Sequence, residues 1–170
     1  MFIDRMRAQD YIDSSRAYLD YVEAHIEFVR KAFDELSRAC EGMWWVGDDF
    51  NWHSLRSEVI DHDLSKLSKE EFCQYRDHFY PVCEEDKANS GFHDAWENHK
   101  ANNHHHWETA ETYNDMIHML IDWLAMSYKF GDHPRDYYNK NADKIKVKVV
   151  WVEDIEEIFN RLDKYREQKG

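Results

Sequence analysis

His62 and Asp63 stand side by side at the head of the stretch HDLSKLSKEEF, with Lys66 one helical turn beyond the histidine. An imidazole and a carboxylate at adjacent positions can ligate one divalent metal. The chain holds 11 His, so the pair has company to recruit. In chain order the other candidates are His25, His78, His99, the run His104-His105-His106, and Asp122. A metal held among them lowers the pKa of a bound water and polarises a phosphoryl oxygen. Asp63 is then expected to orient that water as well as bind metal, which makes it a catalytic candidate. Lys66 is a second catalytic candidate and a contact for an anionic substrate group. Arg76 is a further anion contact, and Trp107 and Tyr75 offer flat rings on which a base can stack.

Each residue also has a plainer role open to it. A single His-Asp dipeptide is common on surfaces. His104 to His106 can be a polar helix start, and His78 divides evenly between ligand and surface. His53, His93, His118 and His133 read as surface or supporting residues. His118 precedes Asp122 by one helical turn, where it can orient that carboxylate. Lys66 can serve a helix end, and Glu108 and Glu111 can favour a helix start through its dipole. Trp44, Trp45 and Trp52 read as core. What separates the readings is position. His25 and Asp122 fall in the middle of long apolar-striped segments, and a carboxylate near a core needs a partner.

Those segments are helical. Leu19, Val22, Ile26, Val29, Phe33 and Leu36 step by three and four, which predicts a helix from Ser14 to Cys40. Asp13 or Ser14 can cap its start and Gly42 can end it. A second helix is expected from Leu55 to about Asp63, leaving His62 and Asp63 near its C-terminal end. Ser68-Lys69-Glu70-Glu71 reads as a capping box, so a third helix should begin there and stop before Pro81. Residues 82–91 read as a loop, followed by a short helix from Phe92 to about Lys100. A long helix through Tyr113, Met116, Ile117, Leu120, Ile121, Leu124 and Tyr128 closes at Gly131. Pro134 opens another, and Val152 to Tyr165 is the last. KIKVKVV alternates like a strand but lacks a partner, so it reads as irregular or edge. No repeat or domain boundary is visible, and residues 1–170 are expected to form one domain.

Bulk composition agrees. The 170 residues are 42% hydrophobic and 34% charged, as in a folded protein with a real core. Only 5 Gly and 2 Pro occur, which suits long helices better than a many-stranded sheet. A net charge of −13 disfavours general nucleic-acid binding, yet a local metal or Lys can still recruit a small phosphorylated molecule. The three Cys form no Cys-x-x-Cys and read as reduced thiols of a cytoplasmic protein. MFIDRMRAQDYIDSS lacks the apolar run of a signal peptide, and no stretch approaches membrane-spanning length. The sequence is compatible with a homodimer.

The order His25, His62-Asp63, Asp122 resembles the HD-domain superfamily of metal-dependent phosphohydrolases. The similarity covers roughly Val22 to Met126, and the spacings suit its small nucleotidase-like members. The resemblance implies an all-α helical bundle in which His25, His62, Asp63 and Asp122 hold one divalent ion. Members with two metals add His ligands before the last Asp, where His99 and His105 or His106 lie. HDxxK followed by SxxEEF is also similar to the cyclic-di-GMP phosphodiesterase branch, and His78 falls where that branch has a His. The Gly-Tyr-Pro signature of that branch is absent. A group of bacterial and phage proteins with HDLSK, HHWE and DWLAM blocks is similar too. The expected activity is hydrolysis of a phosphate ester or phosphodiester of a nucleotide-like substrate, with one or two Mn, Co, Mg or Fe ions. Some HD-fold proteins instead hold two irons and activate oxygen on a small polar substrate, with the same ligand order. A third reading is a non-enzymatic protein whose metal only stabilises the bundle.

Overall fold

All regular structure in the computed structural model, which describes residues 5–43 and 50–170, is helical. The elements are α1 (Arg5–Ala39), α2 (Trp52–Ile60), α3 (Phe72–Phe79), α4 (Glu84–Ala88), α5 (Phe92–Asn102), α6 (Tyr113–Phe130), α7 (Pro134–Lys140) and α8 (Val152–Glu167). Short 3-10 turns occupy Leu64–Leu67 and Val149–Trp151. The all-α expectation is therefore met, and KIKVKVV forms no strand. Trp44 and Trp45 lie outside the described residues.

α1 begins well before the expected Ser14. Ser14 Oγ donates to the Tyr80 carbonyl at 2.5 Å and Ser15 Oγ to the Tyr11 carbonyl at 2.8 Å, so neither hydroxyl is a cap. No Gly or Pro interrupts residues 5–13. The buried stripe of α1 is Tyr18, Val22, His25, Val29, Ala32 and Leu36, alternating steps of four and three. Leu19, expected on that stripe, is exposed. His25 thus occupies a core position of the stripe.

Other boundaries also move. α2 starts at Trp52 because the Asn51 side chain accepts from His53 N and Ser54 N, and it stops short of His62. The expected capping box at Ser68 does not form. α3 starts four residues later, with no side chain capping it. The reason is Glu71: its carboxylate takes hydrogen bonds from Asn98 and Ser65 and meets His99, instead of reaching back to the Ser68 backbone. The loop expected over 82–91 contains α4, whose first turn carries Glu84, Glu85 and Asp86, favourable charges at a helix N-terminus. α6 has the capping box that α3 lacks, between Thr112 and Asp115, and Gly131 ends it at φ 74°.

Two compact units share the chain. One comprises Met1–His25 and Asp63–Asn102, the other Ile26–His62 and Asn103–Gly170. The first is built around aromatic edges: Tyr18 meets Phe72 at 5.2 Å between ring centroids, and Tyr75 meets Phe92 at 5.2 Å. The second has the larger apolar core. Val29, Phe33 and Leu36 of α1 pack with Leu55 and Val59 of α2, with the buried face of α6, and with Ile155, Ile158, Phe159 and Leu162 of α8. Each such side chain contributes about 1.5–3 kcal/mol relative to exposure. That core fixes the rigid α6 on which His118 and Asp122 ride.

Candidate metal centre

In the first unit the centre of charge is Asp63. Its backbone sits at φ 59°, and it is the one non-glycine with positive φ among the described residues. The left-handed turn ends the run from α2 and starts the Leu64–Leu67 turn, folding Ser65 and Lys66 back beside Asp63. Lys66 Nζ donates to Asp63 Oδ2 at 2.5 Å, and the Lys66 carbonyl accepts from Tyr18 Oη at 3.2 Å. His25 Nε2 lies 3.4 Å from Asp63 Oδ2, and His99 Nε2 lies 3.2 Å from Asp63 Oδ1. All three groups, His25, Asp63 and His99, are buried.

Glu71 stands behind His99. It is 0% exposed, and its Oε2 lies 3.0 Å from His99 Nδ1. Burial works against a charged His99, but its hydrogen bonds to Asp63 and Glu71 outweigh burial and hold its pKa above the ordinary imidazole value. Burial, followed by the charges of these two carboxylates, pushes the Tyr18 and Tyr75 phenols up, so both stay protonated.

The second unit gathers imidazoles around His62. Its Nδ1 lies 3.0 Å from His118 Nε2, so one ring donates and the other accepts. Its Nε2 lies 3.7 Å from Asp122 Oδ1. The His105 ring is 4.3 Å from that of His62 and 4.8 Å from that of His118, between centroids. One ligand atom from each of His62, His105 and His118 falls within 4.8 Å of the others, and all three residues are buried. His106 follows, half-buried, its ring 4.4 Å from His105. Three nitrogen donors with a carboxylate beside them form a donor set that fits a divalent transition metal.

Other expected residues land elsewhere. Arg76 is engaged by Asp77 at 2.8 Å and by Ser15 at 3.3 Å. His78 stacks on Phe92 at 4.1 Å, a packing role. Tyr75 is buried in its unit, so its ring is not an open platform for a base. Trp107 is partly buried against the core of the second unit, as is Trp52. His104, His53 and His93 are exposed. His133 instead caps α7, accepting from Arg135 N at 3.1 Å.

Sequence reasoning missed two members. His118 reads in the sequence as able to orient Asp122, and the structure sets its Nε2 3.0 Å from His62 Nδ1. The signal in the sequence is its setting, with Met116 and Ile117 before His118 and Met119, Leu120 and Ile121 after it, and all six positions are buried. Glu71 was hidden by its fit to a capping box. It could be found only by asking which carboxylate supports His99.

Among the described residues no helix is long and apolar enough to cross a membrane. No curated protein matches the chain, and no solved structure matches it. A family model does match, over residues 14–164, which takes in every His and carboxylate of both clusters. The chain belongs to DUF5662, a family of unknown function.

Proposed function

We propose that this protein is a metal-dependent phosphohydrolase acting on a phosphate ester or phosphodiester of a small, nucleotide-like molecule. The observation that carries the reading is the presence of two His-carboxylate clusters, one around the buried Asp63 and one around the buried His62 with Asp122 half-buried beside it. Buried titratable groups that converge in this way cost stability unless something compensates them, and functional sites are where such costs are tolerated. In the first unit the proposed ligands are His25, Asp63 and His99. In the second they are His62, His105, His118 and Asp122, with His106 adjacent. The imidazole-rich set suits Mn, Co or Fe better than Mg.

A bound divalent ion supplies an activated water and neutralises phosphoryl charge. Asp63 accepts hydrogen bonds and so orients the attacking water. Lys66, with its side chain 12% exposed, pairs with Asp63 and turns to an anionic substrate oxygen when one is present. Trp107, half-buried against the core, is the ring on which a base would stack. Arg76, tied to Asp77, is the weaker anion contact.

The test is elemental mass spectrometry of natively purified protein beside Asp63→Ala, followed by a nucleotide and phosphodiester panel with Mn2+ or Co2+. Bound divalent metal that falls in the variant, with turnover that falls with it, supports the reading. Two irons reacting with oxygen would move the assignment to an oxygenase on the same donor set. Metal without turnover, and a melting temperature that tracks metal, would leave a metal-stabilised binding protein.

A further inference from the structure

Glu71 is fully buried, and among the described residues its ion pair is with His99 rather than with a Lys or Arg. Its hydrogen bonds come from Asn98 Nδ2 at 2.8 Å on Oε1, and from Ser65 Oγ at 3.0 Å on Oε2, which also faces His99 Nδ1 at 3.0 Å. Of these partners only His99 can carry charge. Asn98 and His99 are neighbours at the end of α5, while Ser65 comes from the turn after Asp63, so the carboxylate ties both segments to the start of α3. A buried carboxylate is strongly destabilising when left without donors, so each of these bonds is held firmly.

His99 has a carboxylate at each nitrogen: Glu71 at Nδ1 and Asp63 at Nε2. A neutral ring has one proton to give, so the two carboxylates compete for it, and Ser65 Oγ, 3.1 Å from Nδ1 while donating to Glu71, adds a further acceptor on the Glu71 side. Asp63 already receives the Lys66 ammonium on its other oxygen, Oδ2, at 2.5 Å, which draws charge from the carboxylate and weakens Oδ1 as an acceptor for His99. Among the described residues no ammonium reaches Glu71, whose donors besides His99 are the neutral Ser65 and Asn98.

We propose that Glu71 is a positioning residue that keeps the His99 proton on Nδ1 and thereby presents Nε2 as the ligand atom on the Asp63 side. The idea rests on the metal-binding reading above for its purpose, but the tautomer itself is a property of the metal-free chain. A carboxylate behind a ligating imidazole fixes the ring and raises its basicity, and losing one typically costs ten- to a hundredfold in metal affinity.

The experiment is long-range 15N–1H correlation of the histidine rings in metal-free protein at alkaline pH. His99 is assigned by His99→Asn, and Glu71→Ala and Glu71→Gln are measured alongside. Zn2+ alone is then titrated by calorimetry. Wild type is expected to show the Nδ1–H form at His99. Glu71→Ala is expected to shift it to Nε2–H and weaken Zn2+ ten- to a hundredfold. Glu71→Gln, which keeps an acceptor oxygen, should recover part of both. A wild-type ring in the Nε2–H form overturns the proposal, and this arm needs no variant to fold. So does a variant that melts earlier but keeps the wild-type tautomer and affinity, which would make Glu71 structural only. If wild type binds no metal, the phosphohydrolase reading fails while the tautomer still decides the role of Glu71.

Discussion

Lys66 Nζ and Asp63 Oδ2 are 2.5 Å apart across a single left-handed turn, both largely buried. The ammonium therefore occupies an oxygen that a metal would also use. In metal-free protein, Lys66→Met removes a charge-assisted hydrogen bond and should destabilise the fold by about 1.5–3 kcal/mol. Added Mn2+ should then recover more melting temperature in the variant than in wild type, because no ammonium competes for Asp63. Thermal melts with and without Mn2+ decide it. Equal deficits in both conditions would confine Lys66 to holding the turn.

Asp63 combines a backbone role with a ligand role, and two substitutions separate them. Asn tolerates the left-handed region, whereas Ala pays roughly 1–2 kcal/mol to enter it. Asp63→Asn and Asp63→Ala should lose metal equally, while Ala melts lower by that extra amount. Elemental analysis and calorimetric melting provide the two readouts. Identical melting of both variants would mean that φ 59° at this position costs the chain little.

Much of this arrangement is legible in the sequence. The all-helical architecture follows from apolar periodicity and the scarcity of Gly and Pro. His25, His62-Asp63, His99, His105 and Asp122 stood out by residue type and order, and each lies in one of the two buried clusters. What was not legible depended on tertiary competition. Glu71 satisfied a local capping pattern, but a buried histidine outbid the backbone for its carboxylate. Leu19 fitted the α1 stripe as well as Tyr18 did, and only packing beside Phe72 selects Tyr18. His118 reads as a neighbour of Asp122 along the helix, and its approach to His62 depends on the fold.

Away from the clusters, Glu35 links α1 to α6 and α8. It accepts from Arg166 Nε at 2.8 Å and from the Tyr128 hydroxyl. Burial alone raises a carboxyl, but the Arg166 and Tyr128 hydrogen bonds prevail and hold Glu35 below its ordinary value. A depressed folded pKa means stability that is present above the unfolded value, near pH 4.5, and is lost as pH falls through the folded one. Glu35→Gln should therefore be less stable than wild type at pH 7, by about 1–3 kcal/mol. The gap should close as both proteins are acidified below pH 4. Urea melts across that range check it, and a gap that stays constant would show that the charge of Glu35 contributes nothing.

Ser68 and Thr112 each head a capping-box pattern in the sequence, and of these two the structure builds the one at Thr112. Thr112 Oγ1 accepts from Asp115 N at 3.1 Å, and Asp115 Oδ2 accepts from Thr112 N at 2.8 Å. Both donors would otherwise be unsatisfied at the start of α6, the helix that carries His118 and Asp122. Thr112→Ala should cost about 1 kcal/mol. Ser68 offers the same pattern on paper, but α3 starts at Phe72 and Ser68 supplies it with a backbone carbonyl rather than a hydroxyl, at 2.9 Å from Phe72 N. Ser68→Ala leaves that carbonyl in place and should change stability by less than about 0.5 kcal/mol. Paired chemical denaturation of the two variants makes the comparison. A cost at Ser68 equal to that at Thr112 would mean that α3 is capped as its sequence suggests, which would free Glu71 from His99 and undo the support assigned to that ring.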